Sequence, residues 1–369
     1  MMKTNYWHST PSGKTRSRGL GLEFNGTPGI YNSITDVQDV AVGYTTLISG
    51  DGKLITGRGP IRTGVTAIFP RHQDITPCMA GTFSFNGNGE MSGTLWIDEA
   101  GELQTPITIT NTHSCGVTRD ATLQWMAQQK IANTQAWGLP VSAETYDGDL
   151  NDINGFHVTA QHTFDALNSA AGGPIEMGSV GGGTGMCTYE FKAGSASASR
   201  LVSIDGQSFT LGAFVQSNFG LRNELVINGV PVGKHLTNDL FRSKGMGSII
   251  AIIATDAPLL PHQLKRLARR VPMGLARTGT IGHHSSGDIF LAFSTANRDA
   301  LSEEESKTRT IEYLPDAYLD NLFLAVAESI EEAVIDSMIA NEDMTGANNL
   351  CVRALPHDQL LEVMRKYHR

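Results

Sequence analysis

Lys244-Gly245-Met246-Gly247-Ser248-Ile249-Ile250-Ala251-Ile252-Ile253-Ala254-Thr255-Asp256 joins a turn to an uninterrupted apolar run. Two glycines bracket a methionine and open backbone angles closed to other residues. The β-branched residues that follow read as a fully buried strand, and its first position carries a hydroxyl. A serine delivered at the mouth of a buried strand, just after a flexible turn, is well placed to act as a nucleophile. The same pattern also fits a plain Gly-Ser turn into a core strand. Periodicity does not choose between them.

Composition sets the frame around this stretch. The chain has 369 residues, long for one domain but compatible with a single large layered one. Hydrophobic residues at 40% can fill a sizeable core, and 40 glycines point to tight turns and close backbone approaches. A net charge of −9 argues against nucleic acid or an anionic membrane as partner. Cys78, Cys115, Cys187 and Cys351 lie far apart with no CxxC pair, which reads as reduced, mostly buried thiols of a cytosolic protein. Residues 1–19 are polar and basic without an apolar core, and no run approaches the ~18 apolar residues of a membrane span. The expectation is a cytoplasmic protein.

Upstream of the central stretch, residues up to about Gly21 carry no period and read as a loose arm. Ile34–Tyr44 alternates as a strand should, and Thr63–Pro70 reads as a second. Asn86-Gly87-Asn88-Gly89-Glu90 fits a hairpin turn or a loop. Residues 106–112 form a strand that runs into a helix from Val117, with Ala121, Met126 and Ile131 among its apolar positions. Glu144 and Tyr146, two apart in an extended segment, point to one face, so one cleft can receive both. Gly178–Met186 satisfies neither nucleotide-binding glycine pattern, so its glycines serve close backbone passage or a cleft wall. Strands are expected at 209–220 and, with an Asn-Gly turn, at 225–232.

Downstream, Pro261 opens a helix that Pro272 ends, and 289–294 reads as another buried strand. Residues 316–339 form the longest helix, with Leu319, Phe323, Val326, Ile330, Ala333 and Val334 on one stripe. A short helix at 356–366 closes the chain. Neither His113 nor Cys115 has a second metal ligand at useful spacing. No metal or other cofactor is expected.

Gly247-Ser248-Ile249-Ile250, followed by Ala254-Thr255-Asp256-Ala257-Pro258-Leu259, resembles the self-cleavage junction of the L-aminopeptidase/D-amidase-esterase family, which includes the β-peptidyl aminopeptidases. Similar Gly-Asn-Gly-Glu, Thr-Asn-Thr-His and Gly-Gly-Gly-Thr-Gly-Met segments extend the likeness over most of residues 32–357. The resemblance implies an α/β fold, a four-layer α-β-β-α sandwich shared with ornithine acetyltransferases. It implies one catalytic domain over 1–369, cut by itself between Gly247 and Ser248 into chains 1–247 and 248–369.

It also implies roles. Ser248, once N-terminal, is the nucleophile, and its own free α-amine, with a pKa of about 7.7–8, can take the hydroxyl proton. Ser286 and Asp288 match the family's Ser-Gly-acid motif and hold the nucleophile and its amine, with Asp here where some members carry Glu. Asn218 and Tyr146 fall around the oxyanion, and Glu144 where the substrate's free amine is bound. His283 and His284 are left out, as a His pair in a loop. The expected substrates are small peptides, amides or esters with a free amine: β-amino acids, small L-residues or D-alanine derivatives. The expected assembly is a tetramer of processed pairs. Two alternatives stand beside this: an acyltransferase like the ornithine acetyltransferases, which use Thr in place of Ser248, and a binding protein that no longer processes itself.

Overall fold

The computed structural model describes residues 5–72, 76–129, 137–245, 247–301 and 308–369. Ile131 and Met246, singled out above, lie outside them. The main strands are, in chain order, β1 (Ala41–Ser49), β2 (Ile61–Phe69), β3 (Cys78–Gly87), β4 (Ile107–Asn111), β5 (Val141–Thr145), β6 (Ser195–Ile204), β7 (Gln207–Phe219), β8 (Gly247–Thr255) and β9 (Ser286–Ser294). The helices are α1 (Thr94–Ala100), α2 (Cys115–Gln128), α3 (Ala160–Asn168), α4 (Pro261–Ala268), α5 (Val271–Arg277), α6 (Leu319–Ile339) and α7 (His357–Lys366).

Two sheets result. One has the order β1-β2-β4-β5; the other runs from the short Glu102–Leu103 piece through β3-β9-β8-β7-β6. In these two sheets the β4–β5 and β8–β9 pairs are parallel and the other pairs antiparallel. A parallel pair cannot close through a hairpin. Helix α2 lies in the first crossover, and α4 and α5 lie in the second. Helices α2 and α3 pack on the smaller sheet, α4 and α6 on the larger, and β5 meets β7 and β8 between them.

The opening stretch behaves as read. Every residue of β8 from Ser248 to Thr255 is buried, because neighbours flank both edges and cover both faces, and such strands read as continuous apolar runs. The glycine-rich segment does let backbones pass closely. Its turn at Gly181–Gly183 touches strands of both sheets. A Cβ on Gly182 would lie 2.5 Å from the Ile109 carbonyl, and one on Gly183 2.3 Å from the Ser195 nitrogen.

Several local expectations change. The described part of the arm is not loose: Arg16 is buried, its Nε donates to Asp336 at 2.9 Å, and Arg18 Nε donates to Glu332 at 2.7 Å. Arg200 reaches the same Glu332 at 2.7 Å. Burial alone would raise the Glu332 carboxyl, yet the Arg18 hydrogen bond and the charges of Arg200, Arg18 and Arg16 hold it below its ordinary range. The carboxylates sit on α6, so that helix is buried well beyond its apolar stripe.

Residues 34–36 form a 3-10 turn and the strand starts only at Ala41, because the Asp36 carboxylate draws the Tyr31 and Ser33 amides into a tight turn. The strand expected at 225–232 shrinks to an Ile227–Val230 bridge around Asn228 and Gly229, both at positive φ. Pro272 does not end a helix. It occupies the first turn of α5, where its missing N–H costs nothing.

Candidate active site

The register of the larger sheet sorts the expected site residues onto two faces. Asn218 on β7 lies directly opposite Ser248, and Phe219 opposite Gly247. On the other side Gly287 lies opposite Ser248, and Asp288 opposite Ile249. Side chains alternate along a strand, so Asn218 and Ser248 share one face. Phe219, Ile249, Ser286 and Asp288 share the other.

On the first face a cavity of about 420 Å³ is lined by Glu144, Tyr146, Asn218 and Ser248, with Glu90 and Arg242 at its walls. Gly247, also in this lining, has φ of 130°, and a Cβ there would lie 1.9 Å from the Asn218 carbonyl. The residue before Ser248 therefore has to be glycine. Ser248 is 5% exposed, and its Oγ accepts the Gly287 N–H at 3.2 Å.

Asn218 is locked at both ends of its amide. Its Oδ1 accepts the Cys187 N–H at 2.9 Å, and its Nδ2 donates to the Tyr146 carbonyl at 2.7 Å. An amide nitrogen carries two hydrogens, which leaves one for the cavity. Tyr146 contributes its carbonyl to this arrangement, while its ring stays partly exposed in the cavity wall. Burial, and then the neighbouring Asp149 and Asp147, raise its phenol.

Glu144 is the buried carboxylate of this face, 2% exposed. One oxygen accepts the Glu90 N–H at 2.9 Å and the other accepts the Thr112 hydroxyl. Burial raises its pKa, and those two hydrogen bonds pull it part of the way back. Among the described residues no salt bridge engages it. A desolvated carboxylate at a cavity wall, hydrogen-bonded but without a cation, is arranged to receive one.

The second face is different in kind. Ser286 Oγ donates to Asp288 Oδ1 at 2.6 Å, and Asn86 Nδ2 donates to Oδ2 at 2.9 Å. Burial raises the Asp288 carboxyl, against the pull of both donors. Ser286 and Asp288 border a cavity of about 260 Å³ lined by Phe85, Phe219, Ile249, Leu275 and Ile281. Ser248 does not line it. The structure thus brings Ser248, Asn218, Tyr146 and Glu144 together, and sets Ser286 and Asp288 one strand away on the opposite face. His283 is not solvent-facing: it is partly buried and paired with Glu224 at 2.8 Å.

Three residues escaped sequence reading. Thr112 lies in a segment noted for its likeness and Asn86 just before another, but nothing local marks which side chain faces a carboxylate. Arg242 had no signal at all. A larger cavity, about 870 Å³ between the arm and α7, shares no residue with either face. Among the described residues no cluster of three or more His, Cys, Asp or Glu side chains could hold a metal, and no helix is long and apolar enough to cross a membrane.

Comparison with known proteins places the chain in a family. A family profile, Peptidase family S58, matches residues 32–352. The β-peptidyl aminopeptidase BapA of Sphingosinicella microcystinivorans is 47% identical, over 96% of this chain and 93% of its own. The solved L-aminopeptidase D-Ala-esterase/amidase of Ochrobactrum anthropi, described as a prototype serine aminopeptidase and a variant of the Ntn hydrolase fold, superposes with a TM-score of 0.91. It is 49% identical, covering 96% of this chain and 99% of that one. A Burkholderia sp. β-aminopeptidase follows at TM-score 0.87 and 44% identity, covering 95% and 99%. With a buried serine at a strand mouth and likeness sustained along nearly the whole chain, this protein belongs to peptidase family S58.

Proposed function

We propose that the protein is a self-processing aminopeptidase and amidase whose nucleophile is Ser248, acting on short peptides, amides or esters with a free amine. The observation that carries this is the convergence of Ser248, Asn218 and Glu144 on one cavity. Nucleophile, amide donor and buried anion are the three parts that cleaving an N-terminal residue needs. The matched relatives are aminopeptidases and amidases, and Ser at 248 departs from the acyltransferase pattern, so hydrolysis is the favoured chemistry.

Processing comes first. Ser248 Oγ attacks the Gly247 carbonyl, its proton passes to the departing Ser248 nitrogen, and the ester left behind is hydrolysed by water. The products are a Gly247 carboxylate and a free Ser248 amine. Chains 1–247 and 248–369 then form one active unit, with a four-layer α-β-β-α arrangement supported by helices packed on each of two facing sheets.

In turnover the Ser248 amine accepts the Oγ proton as Oγ attacks the substrate carbonyl. The remaining Asn218 hydrogen faces the developing oxyanion, with Tyr146 beside it; such donors contribute a few kcal/mol each. The leaving amine takes the proton back, and water repeats the sequence on the acyl-enzyme. Glu144 pairs with the substrate ammonium and selects free N-termini. Asp288 and Ser286 hold the strand end and, once the amine is free to rotate, steady it from the rear face.

Incubating purified protein at neutral pH and measuring intact mass tests the reading. Fragments ending at Gly247 and beginning at Ser248, with hydrolysis of an alanyl or β-alanyl anilide, are expected. An uncut chain that hydrolyses the anilide at full rate would overturn it.

A further inference from the structure

Asn218 is held through its carbonyl oxygen, and one of the donors there has no place in the mechanism above. Arg242 has a side chain only 5% exposed. Its Nη2 donates to Asp149 Oδ2 at 3.0 Å and to Asn218 Oδ1 at 3.4 Å, while Nη1 donates to the Cys187 carbonyl at 3.1 Å. Its backbone is pinned as well. The Phe241 and Arg242 N–H groups donate to Glu190 Oε1 at 2.8 and 2.7 Å, and the Arg222 N–H donates to Oε2 at 3.0 Å. Glu190 is itself 3% exposed. The segment leading to the cut thus has one fixed point shortly before Gly247, and it lies in the wall of the catalytic cavity.

The chemistry of that contact is directional. A flipped Asn218 amide would set its NH₂ against the Cys187 N–H and the guanidinium, two donors with no acceptor between them. Arg242 therefore disfavours the flip and keeps the Asn218 nitrogen toward Tyr146 and the cavity. A guanidinium at the carbonyl oxygen also polarises the amide, making its N–H a stronger donor. Asp149 balances the guanidinium charge, so that charge does not compete with a substrate ammonium for Glu144.

We propose that Arg242 is a positioning residue for hydrolysis, locking the Asn218 amide with its N–H toward the oxyanion from the carboxyl-terminal tail of the first fragment. The proposal rests on the reading of Asn218 as an oxyanion donor. It makes the tail a working part of the mature site rather than a spent end.

The test is a double-mutant cycle on an alanyl anilide, with rates normalised to the fraction of chains carrying a free Ser248 terminus by intact mass. Arg242→Ala should lower kcat about ten- to a hundredfold with KM within about twofold, since the lost contact acts in the transition state. Asn218→Ala should cost about 10²–10³, and the double variant should be no slower than Asn218→Ala alone. Added guanidinium should restore part of the Arg242→Ala kcat. If Arg242→Ala does not mature, Arg242→Lys, which cannot reproduce the planar fork, enters the same cycle with the same expectation of non-additivity. Losses that multiply in the double variant, or a change confined to KM, would overturn the proposal. Asn218→Ala working at wild-type rate would instead remove the oxyanion reading, and the proposal with it.

Discussion

The two faces of β8 make an instructive contrast. Both carry a buried carboxylate whose pKa is raised chiefly by burial, Glu144 on one side and Asp288 on the other. Asp288 shares its oxygens between two side-chain donors and borders a mostly apolar cavity. Glu144 takes one backbone and one hydroxyl donor and faces a cavity lined by polar residues and glycines. The difference lies in what each is free to meet. Both Asp288 oxygens are engaged by side-chain donors, while Glu144 lines the cavity that Ser248 shares, where we propose it meets the substrate amine. One strand, by alternation alone, separates the cavity that Ser248 lines from the one that Ser286 and Asp288 border.

The largest effect expected is also the sharpest division of the faces. Ser248→Ala should abolish both self-cleavage and hydrolysis, because one oxygen makes both attacks. A mature, active alanine variant, seen by intact mass and anilide turnover, would move the chemistry off the polar face altogether.

Glu144→Gln keeps shape and removes charge. Charge-assisted hydrogen bonds are worth roughly 1.5–3 kcal/mol, so kcat/KM on a free-amine anilide should fall by about one to two decades. Processing should continue, and the already slow N-acetylated substrate should hardly respond. Equal losses on both substrates would erase the distinction between a receiving and a supporting carboxylate.

Asp288→Asn is expected to be milder and indiscriminate: weakening one charge-assisted hydrogen bond by roughly 1.5 kcal/mol slows turnover about tenfold on free and acetylated substrates alike. Measured side by side with Glu144→Gln, a preference for one substrate would show that Asp288 too meets the ligand.

The smallest effect on activity, and the clearest on stability, belongs beneath the polar face. Asp147 is fully buried and its carboxyl is pushed up to about 7, chiefly by desolvation, with the nearby Thr63, Asn151 and Asn111 side chains opposing, Asn151 by donating to Oδ1 at 3.0 Å. A folded pKa above the unfolded value means this group favours the fold most below about pH 4. That contribution is lost as pH rises through about 7, and the stake is on the order of a few kcal/mol. Asp147→Asn should flatten the fall in Tm between about pH 4 and pH 7; an unchanged slope would place the pH sensitivity elsewhere.

What was legible in the sequence follows the range of the forces involved. The β8 strand, the buried strand at 289–294 and the long helix α6 announce themselves because their burial is written locally, as apolar runs and stripes. Glu144 and Tyr146 two apart were rightly placed in one cleft, although Tyr146 lies just beyond its strand. The grip of Arg16 and Arg18 on α6 was invisible, since polar residues without period look alike whether solvated or paired with carboxylates some three hundred positions away. The same holds for Arg242. Its significance lies in a side-chain amide on another strand, and no spacing rule reaches it. Resemblance could name Ser286 and Asp288, but only register shows that they face away from the Ser248 hydroxyl.

The sheet order carries a consequence for how two fragments of this kind come into being. On the proposed cleavage, strands β8 and β9 would fall to the shorter piece, yet they lie side by side in the middle of the larger sheet, between β7 and β3 of the longer one. Made on its own, residues 248–369 would present two naked strand edges, the usual template for aggregation. The longer piece would be left with a slot in the middle of its sheet. A single chain that folds before any such cut would avoid both hazards. Translating the halves from separate messages should therefore yield inclusion bodies where the uninterrupted reading frame yields enzyme.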